Sequence, residues 1–161
     1  VCRDWEASSA DVEALGVQRA VARIGLPLSM AGGVLPRLAL PLRMFVGGRL
    51  GNGRQFCPWI HMADTVGALR FLIENEDAHG IFNISAPEPV TNAEFTRALA
   101  RALRRPSWLP VPGFAIQAIF GEMATIVLGG ERALPQRLQA AGYAFRYPDL
   151  GAALQDIISA M

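Results

Sequence analysis

Apolar positions along this chain follow two rhythms, and the switches between them outline the elements. Asp4 to Leu15 keeps helical spacing and stops at Gly16, the residue type favoured just past a helix end. Val17 to Ile24 is a strand-like run in which Val21, Ala22 and Ile24 are expected to be buried, and Gly25-Leu26-Pro27 breaks it. Helical spacing returns from Val34 to Phe45 through Leu35, Leu38, Leu42 and Phe45. Pro36 suits a first turn there, whereas Pro41 predicts a kink or a split. Phe56 to His61 reads as a short strand, placed at an edge or bulge by Pro58. Asp64 is expected to cap a helix to about Glu76, with Val66, Leu69, Leu72 and Ile73 inward. Gly80 to Ser85 is a second clear strand, and the segment APEPV after it is a rigid connector.

The second half is helical. Thr91 and Glu94 have the spacing of a capping box, in which each side chain accepts from the other residue's backbone N–H. They open a helix through Leu103 with Phe95, Leu99 and Leu103 inward. An extended, Pro-rich bridge (RRPSWLPVP) follows. Further helices are expected over Phe114–Leu128, over Glu131–Ala141 (where Pro135 fits poorly) and over Asp149–Ala160. Gly142 ends the middle one. Three isolated strands among so many helices cannot form a self-sufficient doubly wound sheet. The pattern therefore predicts an α/β chain that is the C-terminal portion of something larger, residues 1–90 belonging to one domain and 91–161 to a helical second one.

Composition narrows the function. Of the 161 residues 52% are hydrophobic and 18% charged, against about a quarter charged in an ordinary soluble domain. No apolar run reaches the roughly 18–20 residues needed to span a bilayer, so the surplus implies a surface covered by missing chain or by a partner, a homodimer being compatible. A net charge of +1 gives no electrostatic case for nucleic acid. The opening residues are polar and helical in pattern, so no signal peptide is expected. Cys2 and Cys57 have neither metal nor disulfide spacing and are read as reduced, in a cytoplasmic protein. All 15 basic residues are Arg. A mechanism that needs a Lys, whether Schiff base, P-loop or Tyr-x-x-x-Lys, cannot run from this chain alone.

The candidate chemistry is sparse. The glycines of GGRLGNG have the reverse of the dinucleotide spacing and precede a strand instead of opening a helix. They read as a tight turn with a tip that could touch substrate. His61 lacks an orienting partner or a nucleophile motif and reads as a buried structural His, and His79 as exposed. With two His far apart no metal site is expected. Ser85 reads as a turn residue. Glu122 is either a perturbed acid or, as the better fit, the ion-pair partner of an Arg such as Arg132. Trp5, Trp59 and Trp108 read as core, with Trp59 also a candidate for a pocket wall. Arg54 and Gln55 either point into a cleft, where they could bind phosphate or hydroxyl groups, or sit on a solvated hairpin. No residue is assigned a catalytic role.

Three stretches carry a resemblance. ARIGLPLSMAGGVLPRL is similar to a strand and loop that pass the nicotinamide. GNGRQFCPWIHMADTVGALRFLI is similar to the segment written Phe-Ile-His-Val-x-Asp elsewhere. The block from Gly80 to Pro112, with the one from Gly121 to Leu154, resembles a family-specific helical C-terminal domain. Together they resemble the C-terminal half of the nucleoside-diphosphate-sugar epimerase-like branch of the extended short-chain dehydrogenase/reductases. That resemblance implies part of a Rossmann-like fold, NADP or NAD as cofactor of the full-length protein, and a small-molecule substrate such as a nucleotide sugar. It places Gly25, Leu26 and Pro27 near the nicotinamide ring, and Arg54, Gln55 and Trp59 along the substrate cleft. The Gly-rich loop and catalytic Tyr region would lie in the absent half, so this chain by itself is expected to turn over nothing. The alternative is a non-catalytic NAD(P)-sensing or assembly module.

Overall fold

The computed structural model describes residues 2–111, 121 and 129–160. The chain opens with helix α1 (Cys2–Ala7) and a 3-10 turn (Ala10–Leu15), where one continuous helix is expected. Two serines account for the split. The Ser8 and Ser9 hydroxyls donate to the carbonyls of Trp5 and Glu6, competing with helix continuation. Gly16 then takes the left-handed conformation at φ 73°, as its position predicts.

Strand β1 (Ala20–Ile24) pairs in parallel with β5 (Gly80–Ile84), Ala20 opposite Gly80 and Ile24 opposite Ile84. Gly25 does not end strand structure here. It redirects it: Gly25 N–H still bonds Ile84 O, whereas Leu26 N–H bonds Pro58 O at 2.7 Å. Strand β2 (Leu26–Leu28) thereby pairs with β4 (Trp59–His61). Only glycine allows the transfer, because a Cβ at position 25 would stand 2.2 Å from Pro58 O. The single strand expected over Phe56–His61 is likewise two. Pro58 separates β3 (Phe56–Cys57), antiparallel to β6 (Val90–Thr91), from β4.

Helix α2 (Leu35–Arg43) buries Leu35, Ala39 and Leu42, with Pro36 in its first turn and Pro41 inside it. It stops short of Phe45, which adopts φ 63°. Helix α3 (Met62–Glu74) starts earlier than expected, and its cap is His61, whose Nδ1 accepts from Ala63 N–H at 3.1 Å. Asp64 is therefore inside the first turn, and it turns inward, 1% exposed. Asp64, Thr65, Ala68 and Leu72 make up the buried face. Val66 and Ile73, expected inside, are 59% and 83% exposed. Asp64 fixes that phase. Its carboxylate accepts from Arg146 N–H (2.7 Å), Tyr147 N–H (2.8 Å) and the Tyr143 hydroxyl (3.1 Å).

Helix α4 (Asn92–Ala102) has the complete capping box between Thr91 and Glu94. Helix α5 (Gln136–Ala140) is shorter than expected because Pro135 is its N-cap, and α6 (Leu150–Ser159) is capped by Asp149. One core cluster joins β2, β4, α2, α4 and α6 through Leu28, Trp59, Leu35, Phe95, Leu99 and Leu154. A second gathers Ile60, Leu72, Phe82, Ile84 and Leu138, and a third, smaller one Val34, Leu50 and Val111. Trp5 and Trp108, expected in the core, are 79% and 72% exposed. Ile24 is exposed too, and among the described residues β1 pairs only with β5. The helix expected over residues 114–128, and Glu122 with it, lies outside the described residues.

Candidate functional site

Parallel strands β1 and β5 end side by side at Ile24 and Ile84, and the chain leaves both at the same height. A cleft of about 730 Å³ opens there, lined by Ile24, Gly25, Leu26, Asn83 and the Phe56–Pro58 segment, with Asn92 and residues 129–133 opposite. Crevices outside the carboxyl ends of parallel strands are where open α/β sheets bind ligands.

Its walls are tied together by side-chain hydrogen bonds to backbone. Asn92 is 1% exposed, and its Oδ1 accepts from Leu50 N–H at 2.8 Å, tying the Gly-rich loop to the start of α4. Asn83 Nδ2 donates to Leu134 O at 3.2 Å, drawing the 129–135 segment over the strand ends. The Arg132 guanidinium lies 5.7 Å over the Phe56 ring. Arg23 forms a two-point pair with Glu6 (Nε–Oε1 2.7 Å, Nη2–Oε2 2.8 Å), and that hydrogen-bonded guanidinium holds the Glu6 carboxyl below the usual range. Burial pushes the Cys57 thiol up to about 11, only partly offset by a hydrogen bond with the Asn92 side chain. A thiol so raised is not a nucleophile at neutral pH. Carboxamides, guanidinium and bare backbone can bind polar groups, and no described residue here forms a nucleophile–base pair.

Of the residues singled out from the sequence, Gly25 and Leu26 form the cleft wall. Pro27 lies beyond it, half-buried, opposite Ile60. Arg54 is exposed on the turn, its N–H bonded to Asn52 Oδ1, and Gln55 Nε2 donates to Leu50 O. Trp59 is 1% exposed, packed in the core with its indole N–H on Glu88 O at 3.2 Å. The structure thus leaves Arg54, Gln55 and Trp59 off the cleft wall. Phe56, Cys57, Asn83, Asn92 and Arg132 are the lining residues that sequence reasoning missed. Asn83 was findable, since it closes a recognised strand, whereas Asn92 was hidden behind the capping box. The glycine loop is structural: a Cβ at Gly48 would stand 2.2 Å from Leu109 O.

A second polar group lies at α6. His61 is buried as expected, its ring stacks on Tyr147 at 4.0 Å, and its Nε2 stands 3.3 Å from Asp156 Oδ2 without a hydrogen bond between them. Among the described residues no cluster of His, Cys, Asp or Glu suits a metal ion, and no helix is long and apolar enough to cross a membrane.

The cleft, the parallel strands and the helical tail define the C-terminal part of a Rossmann-like NAD(P)-binding fold joined to a mostly helical domain. The chain is 41% identical over 156 residues to the epimerase family protein SDR39U1 of Mus musculus, a match to 96% of this chain and 53% of that protein. Its fold superimposes on human SDR39U1 (isoform 2), crystallised with NADPH, with TM-score 0.84 and 39% identity over 90% of this chain and 50% of that one. A nucleoside-diphosphate sugar epimerase from Corynebacterium glutamicum matches at TM-score 0.76 and 30% identity, over 98% of this chain and 30% of its own. Residues 111–157 match the family model described as a domain of unknown function, DUF1731. The chain is homologous to the C-terminal half of these epimerase family proteins, within the extended short-chain dehydrogenase/reductases, and spans about half the length of the curated relatives it matches.

Proposed function

We propose that this chain is the substrate-side portion of an NAD(P)-dependent nucleotide-sugar epimerase or oxidoreductase, with cofactor loop and proton-transfer residues contributed by polypeptide outside it. The observation that carries the reading is the Gly25 bend. It sets bare backbone, Gly25 and Leu26, into a cleft at the carboxyl ends of two parallel strands. That wall admits a flat ring without a side chain in the way, and the cofactor would supply hydride transfer there. Pro27 follows as the rigid continuation of the wall.

On the opposite side Arg132 and Asn83 would orient polar substrate groups, with the buried Asn92 bracing that wall from within. Arg54, Gln55 and Trp59 support this side from behind, through the turn and the core. The proposed domain division falls near residue 90, where β6 leads into α4.

The test fuses the chain to the portion of the mouse relative that its match leaves uncovered, and follows both NADPH absorbance, for net oxidoreduction, and interconversion of a panel of nucleotide sugars, since an epimerase returns its cofactor unchanged. Turnover in the fusion, lost in Arg132→Gln and absent from the chain alone, supports the proposal. A fusion that binds NADPH yet neither consumes it nor interconverts any sugar supports the second reading, a non-catalytic NAD(P)-sensing or assembly module. The exposed Trp5, Val17 and Ile24 beside β1 favour that second reading as a contact surface.

A further inference from the structure

Outside the cleft, Trp108 is a large indole 72% exposed on the Pro-rich bridge after α4. Its backbone is nonetheless firmly held. Val111 N–H donates to Arg49 O at 3.0 Å and Gly51 N–H to Val111 O at 3.1 Å, so the bridge is strapped to the Gly-rich loop. Gly48 lets the two backbones approach, as the contact with Leu109 O shows. The strap places Trp108 at a concavity of about 250 Å³ shared with Arg49, Arg97, Thr96 and Ser107. None of these residues lines the cleft at β1 and β5.

The chemistry of this second concavity is specific. Two arginines, Arg49 and Arg97, line it together with the exposed Trp108, the Arg97 Nε–H donating to Ala93 O at 3.2 Å, and no acidic side chain lines it. Glu94 is the nearest carboxylate to account for. It feels the Arg97 charge, but it is committed to the Thr91 N–H and hydroxyl, both at 2.7 Å. An indole face offers stacking to a planar ring, and paired guanidiniums offer two-point bonding to phosphate oxygens. The volume sits just below the roughly 300–1,000 Å³ usual for ligand pockets, the scale of a small ligand such as a mononucleotide. We infer that Trp108, Arg49 and Arg97 form a binding site for a nucleoside monophosphate unit, the base stacked on Trp108 and the phosphate held between the two arginines.

Calorimetric titration with uridine and adenosine monophosphates, the parent nucleosides and inorganic phosphate tests this. The mononucleotides should bind, with nucleoside and phosphate each weaker by about tenfold or more. Trp108→Ala, and the pair Arg49→Gln and Arg97→Gln, should each cost about tenfold or more. Trp108→Phe should keep most of the affinity, and Arg132→Gln, in the separate cleft, should leave it unchanged. Because Trp108 is exposed, the thermal midpoint should not move in its variants, so loss of binding is readable as loss of the site. The inference is overturned if the mononucleotides do not bind at millimolar concentration. It is equally overturned if Trp108→Ala leaves their affinity intact, if inorganic phosphate binds as tightly as they do, or if Arg132→Gln abolishes binding.

Discussion

The two flanks of this molecule are unlike each other. On the α3–α6 flank, the carboxylate of Asp64 gathers the backbone of Arg146 and Tyr147 and the Tyr143 hydroxyl, and Tyr143 packs edge-on to Phe71 and Phe145. These three donors have their acceptor within the chain. On the β1 flank the strand pairs on one side only, and Trp5, Leu15, Val17 and Ile24 face outward. The far edge of β5 is treated differently from that of β1. Arg137 crosses it and donates to the carbonyls of His79 and Ile81, the kind of cover that keeps an edge strand from pairing. An edge that is protected belongs outside, and one left open with apolar neighbours suits a further strand. The difference teaches that one flank is closed by the chain's own groups, whereas the other presents, among the described residues, an unpaired strand edge with apolar neighbours.

Substitutions should therefore be costly on the closed flank and cheap on the open one. Phe95→Ala, in the core between α4 and α6, is expected to lose about 3–5 kcal/mol in urea unfolding. Asp64→Ala leaves the part-buried Arg146 and Tyr147 N–H groups without their acceptor, the Tyr143 hydroxyl keeping the Asp64 carbonyl, and should cost about 2 kcal/mol, while Asp64→Asn retains part of that. The same network sets an alkaline limit. Burial, with the adjacent Asp64 carboxylate, raises the Tyr143 hydroxyl to about 12. Its folded pKa lies above its unfolded value of about 10, so the stability it contributes is whole below pH 10 and lost as pH rises towards 12. Tyr143→Phe should abolish that segment of the pH profile.

Smaller effects test the borders of the comparison. Thr91→Ala removes the cap of α4 and should cost about 1 kcal/mol. Ile24→Ser, on the open flank, should change stability by less than about 0.5 kcal/mol. A large loss from Ile24→Ser would erase the distinction between the flanks.

Much of this was legible in the sequence because local chemistry dictated it. The Thr91–Glu94 box, Gly16, Gly142 and Asp149 act within one turn, and each does what its residue type predicts. What escaped depended on partners far along the chain. Gly25 reads as a break until Pro58, distant in sequence, is seen against it. Asp64 reads as a helix cap until the Tyr143–Tyr147 segment takes it inward, and that rotation turned Val66 and Ile73 out. The site was half visible for the same reason. Gly25 and Leu26 follow a strand and could be placed on the cleft, whereas Asn92 and Arg132 reach it only through tertiary packing.

The central claim is that the open flank and the cleft beside it complete a dinucleotide site together with polypeptide outside this chain. NADPH affinity tests it most directly, measured by calorimetry on the chain alone and on the chain fused to the uncovered portion of the mouse relative. The account predicts tight binding by the fusion and none by the chain alone. Equal affinity in both, or none in either, would contradict it.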